Sequence, residues 1–120
     1  MELIYQIIIL LSIHFVADFL LQSDWMAMNK SKSLIPLTTH VAIYTGAFLV
    51  FGIWYFPLVD VLLFCGITFV AHLLTDLYGS KLTSSLFKQK RHRAFFNVIG
   101  FDQLLHAIQL ILCYKFIILN

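Results

Sequence analysis

Apolar residues fill four long stretches of this 120-residue chain, and the polar residues collect between them. A membrane-crossing helix needs about 20 mostly apolar residues. The stretches run from about Leu3 to Leu21, Ile35 to Phe56, Leu58 to Tyr78 and Val98 to Leu119, and each predicts a helix. Pro36 suits a first helical turn, where its missing N–H costs little. Asp60 favours the start of the third helix, and Gly79 reads as its C-terminal stop. Trp54-Tyr55-Phe56-Pro57 predicts a tight hairpin within an aromatic belt.

Composition sharpens this pattern. Hydrophobic residues make up 61% of the chain, charged residues only 12%, and mean hydropathy is +0.90. These values exclude a soluble domain, a disordered tail and a fibrous repeat. The expected fold is a single all-α domain over residues 1–120, an integral membrane four-helix transmembrane bundle. The chain opens on Met1-Glu2 with no Lys or Arg, and no cleavage pattern follows Ala17. The first helix is therefore expected to be retained, not removed as a signal peptide. Cys65 and Cys113 lie inside apolar runs without C-x-x-C spacing, which predicts small buried hydrophobes and no disulfide.

The net charge of +2 is too small to argue for nucleic acid, but its distribution is informative. Lys30 and Lys32 follow the first helix. Lys81, Lys88, Lys90, Arg91 and Arg93 follow the third, while the hairpin at Pro57 has no basic residue. The positive-inside rule puts the two basic loops in the cytoplasm. Both termini would then face outward across the inner membrane of a prokaryote. Lys88, Lys90, Arg91 and Arg93 also suit contact with a lipid phosphate, although a topology signal on a solvated loop is the simpler reading. His92 is expected to face solvent.

The chemistry lies inside the spans. An Asp at the centre of a membrane helix costs about 2.5–3.5 kcal/mol on the insertion scale, so such residues are functional candidates by default. The first helix carries His14 and Asp18, the third His72 and Asp76, and the fourth Asp102 and His106. Each pair is four residues apart, which puts both side chains on one helix face. Gln22 extends the first face by a further turn, and His40 opens the second helix. Because the helices alternate in direction, all seven His and Asp side chains fall in one layer, nearer the cytoplasmic surface. Thr75 and Gln103 adjoin the layer and, with Gln22, suit a supporting role around a bound ion.

Four histidines and three aspartates in one layer of a helical bundle predict a metal site. The donor types suit Zn, Mn, Fe, Co or Ni. Seven ligands exceed the needs of one tetrahedral zinc and suit two ions sharing a bridging carboxylate. Three carboxylates balance two divalent ions once a bridging hydroxide is added. Alternatively, the His–Asp pairs only hydrogen-bond the helices together, and Asp102 caps the start of the fourth helix.

The strings His14-Phe-Val-Ala-Asp18-Phe-Leu-Leu-Gln22, His72-Leu-Leu-Thr-Asp76 and Asp102-Gln-Leu-Leu-His106 resemble a family of small prokaryotic and phage membrane proteins of unknown function. The resemblance covers essentially the whole chain and also includes the lone His40. It implies a compact domain with these seven residues as its signature, and it implies no activity.

Four functions compete at this stage. A metal-dependent membrane hydrolase acting on a lipid or phosphate ester leads, because bound metal acidifies water and polarises a phosphoryl oxygen. A divalent-cation binding or transport component is second, weakened by the lack of polar residues in the outer half. Haem is third, and leaves the aspartates unexplained. A structural or partner-binding subunit is fourth. Membrane lipid is the expected partner, and a homo-oligomer is compatible with the sequence.

Overall fold

The computed structural model describes residues 1–120. Its elements are α1 (Leu3–Phe15), α2 (Asp24–Asn29), α3 (Leu34–Tyr55), α4 (Leu58–Lys88) and α5 (His92–Cys113), with no strands. α1 and α5 each close in a π-helical turn, Val16–Leu20 and Tyr114–Ile118. Four helical spans are long and apolar enough to cross a membrane: Leu3–Leu20, Leu34–Tyr55, Leu58–Lys88 and His92–Ile118. Many large apolar side chains point outward, among them Trp54, Val59 and Phe101. An apolar exterior of this kind suits a lipid environment and marks the chain as membrane-associated.

α4 packs between α3 and α5, and α1 lies across both α3 and α5. The core is small: Leu10, Ala17, Tyr44, Phe48, Val61, Phe64, Cys65, Leu110 and Tyr114. Cys65 and Cys113 are both free thiols. The α3–α4 connection is the expected hairpin at Phe56 and Pro57.

Two boundaries depart from the hydropathy pattern. The third span does not stop at Gly79 but continues to Lys88. Gly79 has an ordinary helical backbone, and a Cβ at this position would lie 3.0 Å from the Asp102 carboxylate. Its missing side chain therefore serves packing against α5, not termination. The stop comes eleven residues later at Lys90, whose φ of 57° is left-handed. The Arg91 N–H donates to the Leu86 carbonyl and the Lys90 N–H to the Phe87 carbonyl, the hydrogen-bond pair of a Schellman ending. The fourth helix begins at His92, not Val98. Asp102 consequently lies well inside α5 and does not cap it. Lys81 and Lys88 belong to α4, and Arg93 to α5, so the expected basic loop is in fact the tip of a helical hairpin. His92 is exposed there, with its ring against Phe87.

The segment between the first two spans is also more ordered than a loop. Ser23 caps α2, its Oγ accepting from the Met26 N–H. Met26 is buried while Trp25 and Met28 face outward. α2 has the character of an interfacial helix. Its docking against α3 fixes the position of Lys30, the residue that follows it.

Candidate metal centre

The π-helical turn carries Asp18. Here the Leu21 N–H reaches back five residues to the Val16 carbonyl. Such turns occur mostly singly and often at functional sites. Helical structure ends at Leu20, so Gln22 lies beyond the helix and does not continue its face; its Oε1 is buried without a partner. His40 sits in the second turn of α3, four residues before Tyr44. α4 supplies His72 and Asp76 one turn apart, and α5 supplies Asp102 and His106. His40, His72 and His106 are each 1–2% exposed, and Asp18 and Asp76 only 4–5%.

Four ligand-type atoms converge from three spans. His40 Nε2 lies 3.0 Å from Asp18 Oδ1 and 3.2 Å from Asp76 Oδ2. His72 Nε2 lies 3.1 Å from Asp76 Oδ2, 3.5 Å from Asp18 Oδ1 and 3.2 Å from His40 Nε2. A tetrahedral ion with bonds of 2.0–2.1 Å has ligand–ligand edges of about 3.3 Å. The five separations bracket that value. A purely hydrogen-bonded set is a poorer fit. Each imidazole would have to aim an N–H at a carboxylate, which sets two Nε2–H groups head to head across 3.2 Å. Asp18, His40, His72 and Asp76 form a group that could hold a metal ion, and Asp76, Asp102 and His106 form a second.

His14 falls in neither group, and both its nitrogens are engaged by protein. Nε2 donates to Gln103 Oε1 at 2.7 Å, so Nδ1 accepts from the Tyr44 hydroxyl at 2.7 Å. The Gln103 amide then donates to Asp18 Oδ2 at 3.1 Å. This chain holds one Asp18 oxygen and leaves the other facing His40. Gln103 thus links His14 to Asp18, whereas Thr75 hydrogen-bonds back to the Ala71 carbonyl of its own helix.

Two contributors were not anticipated from the sequence. Tyr44 orients His14, and its ring centroid lies 3.9 Å from that of His72 with the planes tilted by 47°. The available signal was its spacing of four from His40. Lys30 Nζ lies 3.2 Å from Asp76 Oδ2; in the sequence it counted only toward topology. The other basic residues are remote. Lys88 stands twelve residues along α4 from Asp76, about 18 Å away. Lys88, Lys90, Arg91 and Arg93 are all exposed at the hairpin tip and do not reach the cluster.

A family model described as a protein of unknown function, DUF3307, matches residues 6–120. The chain belongs to the DUF3307 family. The match takes in every His and Asp of the two groups. No curated protein and no solved structure matches this member of the DUF3307 family.

Proposed function

We propose that this protein is an integral membrane metalloprotein whose primary ion is held by Asp18 Oδ1, His40 Nε2, His72 Nε2 and Asp76 Oδ2. The convergence of these four buried atoms at tetrahedral-edge spacing carries the reading. Imidazole and carboxylate together suit Zn, Mn, Fe, Co or Ni. His14 and Gln103 orient the aspartate from behind, as supporting residues do around metals. Seven of the eight Lys and Arg residues, all but Lys115, lie on the side of the bundle that carries the ion site. The positive-inside rule then makes that end cytoplasmic and both termini external.

The chemistry that best uses this His–Asp layer is metal-dependent hydrolysis of a lipid or phosphate ester close to the headgroup layer. Water is the co-reactant. Its oxygen bonds to phosphorus, and the ester P–O bond breaks with its electron pair going to the departing alcohol. The water proton passes through a carboxylate to that alcohol. Transport is the weaker reading, because the opposite end of the bundle is lined by Ile9, Leu10, Phe48, Val61 and Phe64. Apart from Gln6 and Tyr114, which bond each other, that lining offers little for an ion to follow.

The test is elemental analysis of detergent-purified protein beside His40→Ala and Asp76→Ala variants, followed by phosphate-ester turnover with and without chelator. Near-stoichiometric metal lost in both variants, with turnover lost on chelation and restored by the ion, is expected. Wild-type protein free of metal after reconstitution with each ion would overturn the metal site. Turnover insensitive to chelator would overturn the hydrolase.

A further inference from the structure

We infer that Asp76 bridges to a second metal position, built from Asp76 Oδ1, His106 and Asp102 and lying directly beside the first. The inference rests on the metal reading above and extends it.

His106 carries the argument. Its Nδ1 lies 2.7 Å from the backbone carbonyl of Asp102. A carbonyl only accepts, so Nδ1 bears a proton, and in the neutral imidazole Nε2 bears the lone pair. The lone pair has no hydrogen-bond partner, although the residue is 98% buried. It faces Asp76 Oδ1 at 3.8 Å. Two acceptors thus point at each other in a dry interior, which costs free energy unless a cation stands between them. An Nδ1–H held by a carbonyl with Nε2 free is also the way metal-bound histidines are fixed.

Asp76 splits its oxygens between the two positions. Oδ2 faces His40 and His72, and Oδ1 faces His106. Bridging carboxylates of this kind join ion pairs about 3.5–4 Å apart. Asp102 joins from α5, its Oδ2 3.4 Å from His106 Nδ1, and the Gly79 notch lets its carboxylate lie close against α4. The Asp102 carboxylate also accepts from the Gln103 amide at 3.4 Å, so a single glutamine touches an aspartate of each position.

The two positions differ in kind. The first has four protein ligands, the number of a closed structural site. The second has three, the number typical of catalytic sites that take water or substrate as the fourth. The second position is therefore where hydrolysis would occur, and the first is its anchor.

The test counts ions. Purified protein is equilibrated with Zn²⁺ and freed of excess, and Zn per chain is measured for wild type, His40→Ala and His106→Ala. Wild type is also loaded with Co²⁺ and examined by electron paramagnetic resonance. Two Zn per chain in wild type, one in His106→Ala and a spin-coupled Co²⁺ pair are expected. The wild-type count and spectrum decide the question even where a variant fails to fold. One isolated ion, lost in His40→Ala and kept in His106→Ala, would overturn the second position and leave the first standing. One isolated ion lost in His106→Ala would overturn the bridged pair. No bound ion in wild type would overturn both.

Discussion

The two ends of this bundle are made by the same helices yet are held together by different physics. At one end α1, α3, α4 and α5 bring His, Asp, Gln and Tyr side chains into contacts of 2.7–3.5 Å. At the other they flank a half-open cavity of about 310 Å³, lined almost wholly by apolar residues such as Leu10, Phe48, Phe64 and Ile118. Its polar feature is a hydrogen bond from the Tyr114 hydroxyl to Gln6. Dispersion packing is tolerant of position, since many small contacts share the load. Buried polar groups are not tolerant, because one misplaced partner leaves the other unsatisfied. The polar end should therefore respond to single atoms and the apolar end to volume.

The largest expected effect comes from Asp76→Asn, which keeps the volume but removes charge from the carboxylate shared by both candidate positions. Metal content should fall to background by elemental analysis, and the stabilising shift in Tm on adding Zn²⁺ should vanish. Retention of the wild-type ion count would break the contrast between the ends. Next comes Leu110→Ala, in the apolar core and fully buried. The lost packing should lower stability by about 2–5 kcal/mol, read as a fall in Tm of equal size with and without metal. The ion count should not change.

His14→Ala sharpens the comparison, since it sits at the polar end without reaching either ion group. It strips partners from the Tyr44 hydroxyl and from Gln103. Metal affinity should drop by about 10–100-fold, measured by competition with a chromophoric chelator, while saturation stoichiometry is kept. The smallest effect belongs to Lys90→Gly, at the hairpin tip and away from both the ion groups and the apolar cavity. Relieving a left-handed lysine should raise stability by about 1 kcal/mol, visible as a small rise in Tm with no change in metal binding.

The four spans and the His–Asp layer were legible in the sequence for clear reasons. Hydropathy reports transfer into lipid, and a spacing of four reports a shared helix face. Helix ends were less legible. Gly79 carries the local signature of a stop, yet its role is set by Asp102, 23 positions away in the chain. The same limit hid the division of labour among the histidines. His14 and His106 look alike in the sequence. Only the tertiary partners show that His14 has both nitrogens engaged, whereas His106 presents a free lone pair. The π-helical turn beneath Asp18 left no trace in the hydropathy pattern, because it alters backbone phase and not composition.

Lys30 has a consequence of its own. Its ammonium is tethered to the bundle by α2 and already lies on Asp76 Oδ2. Any incoming cation meets a resident rival whose effective concentration is set by a short chain segment. Ions that bind oxygen alone gain little from the neighbouring imidazoles and face that rival at a disadvantage. Ions with strong affinity for nitrogen overcome it. In the proposed metal site the lysine would thus set a common threshold, lowering the apparent affinity of every ion so that only those with high intrinsic affinity for the imidazoles would occupy the cluster.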